Sequence, residues 1–226
     1  MSHVGHVRSS NEDAIGVSAS GEVVLSRWNG ALPLQRGWAL VTDGMGGHVG
    51  GEVASRLAIE ILRPVLASLA SSEQMQLTLN AANKALFDTM KHQPELSGMG
   101  TTIAGALLDG DRTFLVNVGD SRIYQHLNGK LTQLSLDHVV EGYMLTQCLG
   151  GFRPGARIEP HVREIALMPG MRLLLCSDGL TDMISDDTIA ALLEEQSPDP
   201  AKLLVQAALD AGGMDNVSAV VIEIQE

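Results

Sequence analysis

From residue 102 to residue 176 the chain is a succession of short apolar runs broken by turn signals, and this limits the folds open to it. Residues 102–108, 113–118, 122–126 and 131–134 read as strands, with Asp109-Gly110-Asp111 and Asn128-Gly129 as hairpin turns. Residues 163–167 and 171–176 form another pair across Pro169-Gly170. Upstream, 13–18 and 22–27 read as a pair around Ala19-Ser20-Gly21, and 37–42 as a short apolar strand. Helical spacing takes over at 51–69, where Val53, Leu57 and Ile61 recur, and a second helix runs from Ser71-Ser72 to about Met90 before Pro94. Two late helices, 186–195 and 200–211, precede a final strand at 217–224. Such an order lacks the regular alternation of a doubly wound parallel sheet. It predicts an α+β chain in which largely antiparallel sheet is covered by helices.

The 226 residues are 45% hydrophobic, enough for one sizeable core and hence a single domain or two tightly joined layers. Asp and Glu number 27 against 15 Lys and Arg, a formal net charge of -12. That balance argues against nucleic acid or anionic membrane as a partner and is compatible with cation binding. The two cysteines, Cys148 and Cys176, form no close pair and read as small buried hydrophobes. The polar start, "MSHVGHVRSSNED", has no apolar h-region, and no run approaches the roughly 20 apolar residues that span a bilayer. The expected location is the cytoplasm.

Four aspartates sit where the expected strands meet loops. Asp43 follows Ala39-Leu40-Val41, Asp120 follows Phe114 to Gly119, Asp178 follows Leu173 to Cys176, and Asp215 precedes the last strand. One such acid is ordinarily a turn residue bonding its own backbone. Four in equivalent places point to convergence, and converging carboxylates repel unless cations lie between them. Hard divalent ions suit all-oxygen ligands, whereas the scattered His and Cys residues suit no soft-metal site.

Five glycines lie within the eight residues after Asp43 in "VTDGMGGHVGGE". Without a Cβ the backbone can approach an ion closely, and the Gly44 carbonyl can itself be a ligand. Phosphate-loop alternatives fail. Gly51 is followed by Glu52 rather than Lys, and Val49 stands where a dinucleotide fingerprint needs Gly or Ala. Arg8, ahead of Asn11-Glu12-Asp13, would hold an anionic group against the cations with its forked donors. Metals, carboxylates and one arginine describe phosphoryl transfer to water.

The pieces "GHVRSSNEDA", "VTDGMGGHVGGE", "GMGTTIAGAL", "VNVGDSRIYQ", "LSLDH", "LTQCLGG", "LLLCSDGLTDMI" and "GGMDNVSAVVI" occur in this order along nearly the whole chain. Taken together they resemble the metal-dependent serine/threonine protein phosphatases of type 2C, in their short bacterial form. The resemblance implies one catalytic domain over 1–226, folded as an αββα sandwich of two mainly antiparallel sheets flanked by helix pairs. It implies two Mn²⁺ or Mg²⁺ ions, with a third, weaker ion in bacterial members. Asp43 would bridge the two ions. Asp178 and Asp215 would complete one, and the Gly44 carbonyl the other. Asp120, Asp178 and Asp182 match the third-ion ligands. Glu12 and Asp13 would hold metal waters, Asn216 would orient Asp215, and Arg8 would grip the phosphate. Gly100, Thr101, Thr102, Ser121 and Arg122 would be structural. The implied partners are phosphorylated proteins and a cognate Ser/Thr kinase, and the family default is a monomer.

Two departures from the family pattern stand out. Met45 stands where animal relatives carry a histidine, which leaves His48 as the general acid, as in bacterial relatives; its other role would be to start the helix. Between Asp137-His138 and Leu145-Thr146, bacterial relatives carry a mobile flap with helices of its own. Here only "VVEGYM" remains, so the flap is shortened near 138–145. The ligands lie outside that segment, and the chemistry is expected to survive its loss. The competing reading is a non-catalytic phosphoprotein-binding module on the same fold. A Ca²⁺-binding structural domain is a third, but its ligands would be contiguous as in an EF-hand, and these are dispersed.

Overall fold

The computed structural model describes residues 1–19, 22–25, 36–46, 50–69, 71–109, 112–141, 144–153, 155 and 157–224. Strands β1 (Ser2–His3), β2 (Asp13–Ala19), β3 (Glu22–Leu25) and β4 (Arg36–Met45) come first, then helices α1 (Gly50–Leu66) and α2 (Ser72–His92). A long run follows: β5 (Gly100–Thr101), β6 (Ile103–Asp109), β7 (Arg112–Val118), β8 (Arg122–Leu127), β9 (Lys130–Gln133), β10 (Val139–Val140), β11 (Met144–Leu145), β12 (Leu149–Gly150), β13 (His161–Ala166) and β14 (Arg172–Cys176). Helices α3 (Asp178–Thr181), α4 (Asp186–Glu194) and α5 (Pro200–Asp210) lead to β15 (Val217–Glu223).

One sheet runs β12-β5-β4-β6-β7-β13, with β2 on β4 and β3 on β2; the other runs β1-β15-β14-β8-β9. All pairings among the described residues are antiparallel. Alternation along β4 explains the layering. Trp38 and Leu40 pack with Leu62, Leu79 and Leu86 of the first helix pair. Ala39 and Val41 face the other way and meet Leu173, Leu175 and Val220 of the second sheet. A strand buried on both faces reads as a continuous apolar run, which is how 38–41 looks in sequence. On the outer face of the second sheet, Tyr124 and Leu174 pack under Ile189, Leu204 and Val205. Four layers result, helices, sheet, sheet, helices, as expected from the resemblance.

Local signals set most helix starts. Ser71 accepts from Gln74 N–H at 3.2 Å, Ser185 from Thr188 N–H at 3.3 Å, and Asp199 from Lys202 N–H at 3.0 Å. Pro200 opens α5, where no amide hydrogen is needed. Val139 and Val140 pair with Leu145 and Met144 as a short hairpin. Its central residues 142 and 143 lie outside the described set, as do the tips of the turns at 20–21 and 110–111. Among the described residues, no helix is long and apolar enough to cross a membrane.

Candidate active site

Antiparallel pairing brings distant acids to one edge of the sandwich. Asp13 opens β2 and lies opposite Asp43 on β4. Cys176 at the end of β14 lies opposite Ala219 of β15, so Asp178 and Asp215 leave the second sheet at the same end. Asp120 sits where the chain crosses from β7 in the first sheet to β8 in the second. Asp43, Asp120, Asp178 and Asp215 line a cavity of about 570 Å³, together with Arg8, Glu12, Gly44, Thr102, Leu145 and Asn216. A cavity of similar size, about 600 Å³, opens beside His126, Arg172 and Glu194. Among the described residues its lining holds no aspartate, and its arginine is paired with Glu223 at 2.8 Å.

Two placements differ from the sequence reading. Asp43 does not end its strand: β4 continues to Met45 because the short β5 takes over as partner, Gly44 facing Thr101 and Met45 facing Gly100. The apolar pattern stops at 42 while the backbone pairing does not. Asp178 is not in a loop but is the first residue of α3, after Ser177. Asp182 caps the other end of that helix, exposed and outside the cavity lining, with its N–H donating to the Asp178 carbonyl at 2.8 Å. His48 lies outside the described residues.

Hydroxyls hold Asp43 in place. Its N–H donates to Thr102 Oγ1 at 3.0 Å, and its carbonyl accepts from Thr102 N–H and Thr101 Oγ1, both at 2.9 Å. This is the structural work expected of the Gly-Thr-Thr segment. Glycines do something more specific than open space for an ion. A Cβ on Gly44 would collide with the Gly51 carbonyl and lie 2.7 Å from the Glu12 carbonyl oxygen; one on Gly51 would strike the Glu12 carboxylate. Gly179 likewise leaves room for the Asn216 carbonyl. The missing side chains thus let β4, α1 and the Glu12 loop close on one another. Gly44→Ala is expected to destabilise the fold by about 2–3 kcal/mol, since backbone atoms cannot step aside. Urea unfolding in EDTA checks this, and an unchanged midpoint contradicts it.

At the opposite wall, Arg8 Nη2 donates to Asp215 Oδ2 at 2.6 Å. That bond and the aspartate's charge raise the arginine pKa further. Asn216 does more than orient its neighbour. Its N–H donates to Asp215 Oδ1 at 2.8 Å. Its side-chain oxygen accepts from Glu12 N–H at 2.8 Å, and its amide donates to the Val4 and Ser10 carbonyls at 2.9 Å. The N-terminal loop carrying Arg8 and Glu12 is thereby fastened to the loop carrying Asp215. Sequence reading missed Ser177, whose hydroxyl donates to Asp13 Oδ2 at 2.7 Å across 164 positions. Its only local signal is its place beside Asp178-Gly179.

The electrostatics are those of a cluster short of positive charge. Burial, then the charges of Asp13 and Asp178, pushes Asp43 well above the usual carboxylate range. Burial raises Asp13 to about 7, against hydrogen bonds from Ser218 and Ser177. Burial and Asp178 raise Asp120 to about 6, and burial raises Asp178. Asp13 Oδ1 and Asp178 Oδ1 are buried without a hydrogen-bond partner. Among the described residues, no three acidic, imidazole or thiol side chains are gathered closely enough to hold an ion unaided. Asp215 is instead bonded to Arg8, and Asp13 to Ser177. The donor set nevertheless fits hard divalent cations: it is all oxygen, and its orphaned lone pairs are what a cation satisfies.

A profile described as Protein phosphatase 2C matches residues 28–210. The serine/threonine protein phosphatase PstP of Mycobacterium tuberculosis is 34% identical over 97% of this chain. The chain spans 43% of that protein's length. The alignment covers 243 positions against 226 residues here, so PstP has residues without a counterpart in this chain. The serine/threonine phosphatase stp of Listeria monocytogenes is 28% identical over 97% of this chain and 92% of its own. A crystal structure of the catalytic domain of PstP, in complex with two manganese ions, superposes with a TM-score of 0.79 at 34% identity, covering 100% of this chain and 96% of that one.

Proposed function

The chain belongs to the protein phosphatase 2C family, and from that premise we propose that it hydrolyses phosphoserine and phosphothreonine in proteins with the aid of two Mn²⁺ or Mg²⁺ ions. The observation that carries this reading is the convergence of Asp43, Asp120, Asp178 and Asp215 from both sheets on one cavity, beside Arg8. The convergence is matched by likeness to a phosphatase domain crystallised with two manganese ions.

In this reading Asp43, Asp178, Asp215 and the Gly44 carbonyl would hold the two ions, with Asp43 shared between them. Asp120, Asp178 and Asp182 would hold a third, weaker ion. Glu12 and Asp13 would hold water at the ions, and Asn216 would steady Asp215. Divalent cations at these positions supply a water-derived nucleophile at neutral pH and counter-charge for the phosphoryl oxygens. Arg8 binds the phosphate. Its side chain is 58% exposed and its guanidinium donates to Asp215, so Arg8 would be free to turn to substrate once the Asp215 carboxylate served as a ligand. The departing serine or threonine oxygen takes a proton from His48. Residues 1–226 act as one catalytic domain, monomeric and cytoplasmic, opposing a Ser/Thr kinase on that kinase's substrates.

The deciding experiment is phosphate release from a phosphothreonine peptide in EDTA, Mg²⁺ or Mn²⁺, for the natural chain and Asp178→Asn. Metal-dependent release that the substitution abolishes supports the reading. A folded protein that releases no phosphate with either metal overturns it in favour of a phosphoprotein-binding module.

A further inference from the structure

The loop that presents Asp120 is held at Gly119 by both the ring and the backbone of His138. Gly119, with φ 101°, donates its N–H to His138 Nδ1 at 3.0 Å, and its carbonyl accepts from His138 N–H at 2.9 Å. Both polar backbone atoms of Gly119, the residue before Asp120, are thus held by the residue that begins the shortened flap segment. His138 is only 9% exposed, and its carbonyl accepts from Thr146 N–H at 2.8 Å, closing the base of the β10–β11 hairpin. Neighbouring bonds reinforce the strap. Asn117 donates to the Leu136 carbonyl at 2.7 Å and accepts from Leu136 N–H at 3.1 Å, and Asp137 pairs with Arg122 at 2.7 Å. Segment 136–138 therefore binds the chain on both sides of Asp120. The same loop touches the support of Asp43, because Thr102 Oγ1 lies 2.6 Å from Ser121 Oγ and accepts from Asp43 N–H.

An Nδ1 that accepts from an amide carries no proton, so the ring is neutral with its hydrogen on Nε2. Burial favours that neutral form.

We propose that His138 is a positioning residue: through Nδ1 and its own N–H it fixes Gly119, aims the Asp120 carboxylate into the cavity, and ties that aim to closure of the hairpin. The inference rests on the reading of Asp120 as a cation ligand. It gives the shortened segment a task, as a buckle for the acidic loop.

Three variants separate this from a merely structural role. Asn at 138 can place an oxygen acceptor where Nδ1 lies, Gln reaches only as far as Nε2, and Ala offers neither. His138→Ala and His138→Gln are expected to weaken the weakest Mn²⁺-binding step seen by calorimetry about tenfold, the usual effect of losing an outer hydrogen bond to a metal site. They should also speed amide exchange at Gly119. His138→Asn should restore both. If His138→Ala does not fold, the Asn and Gln pair still decides the matter. The proposal is overturned if His138→Gln binds Mn²⁺ and exchanges Gly119 as the natural chain does, or if His138→Asn is no better than His138→Gln. Failure of the phosphatase reading would appear separately, as absence of metal-dependent phosphate release from the natural chain.

Discussion

Asp43→Asn is expected to lower phosphate release from a phosphothreonine peptide by about a thousandfold or more, some 4 kcal/mol of transition-state stabilisation. The substitution keeps the side-chain volume. It also leaves intact the backbone bonds to Thr101 and Thr102, so β4 stays in register. What disappears is one negative charge at the point where the two sheets' acids meet. The same loss should have the opposite sign for the metal-free fold. Asp43 is half-buried beside Asp13 and Asp178, whose charges oppose its ionisation. Relieving that repulsion should raise the unfolding temperature in EDTA. Reduced activity with raised metal-free stability is the signature of a charge kept for function rather than for folding. Activity within tenfold of the natural chain, or a lower unfolding temperature, would contradict the role given to Asp43.

Removing the divalent cations should leave a protein that loses stability as pH rises. Asp13 titrates at about 7 and Asp120 at about 6 when folded, and Asp43 and Asp178 are raised as well, against about 3.9 for an unfolded aspartate. Because the folded values are the higher ones, the native state holds extra protons between them. The contribution of Asp13 and Asp120 is then fully present below about pH 4 and is lost as pH climbs through about 6 and about 7, with Asp43 and Asp178 acting in the same direction. Metal-free urea midpoints should accordingly fall from pH 5 to pH 8. Saturating Mn²⁺ should remove the decline, because a cation replaces the protons, and at a hundredfold excess over its Kd it adds about 2.7 kcal/mol. Asp13→Asn separates this from general repulsion in an acidic protein, since it should reduce the slope around pH 7. A metal-free midpoint that is flat or rises across this range would mean that the cluster does not carry these protons.

How much of this was legible beforehand follows from how local each feature is. Asn128-Gly129 marks a hairpin because its backbone turns left-handed, with φ of 51° and 74°. Helices α4 and α5 fall within a residue of their sequence-read limits, because Ser185 and Asp199 are caps acting three residues away. Alternation and helical spacing are local as well, and they pointed to antiparallel sheet covered by helices, while the four-layer order came from the family resemblance. The short strands β1, β5, β10, β11 and β12 escaped notice because two residues carry no periodicity. So did the four-residue α3.

The identity of the acids, their placement near strand ends and the family resemblance were all in the sequence, because each needs only residue type and order. Tertiary structure alone decided that Asp43 lies inside a strand and that Arg8 is paired with Asp215. It also decided that Gly44 and Gly51 make room for Glu12 rather than merely for a ligand, and that His138 holds the Asp120 loop. Each of those facts depends on backbone register and on contacts between residues far apart in the chain. Such contacts form only when sheets and helices close together, and no stretch of sequence encodes them by itself.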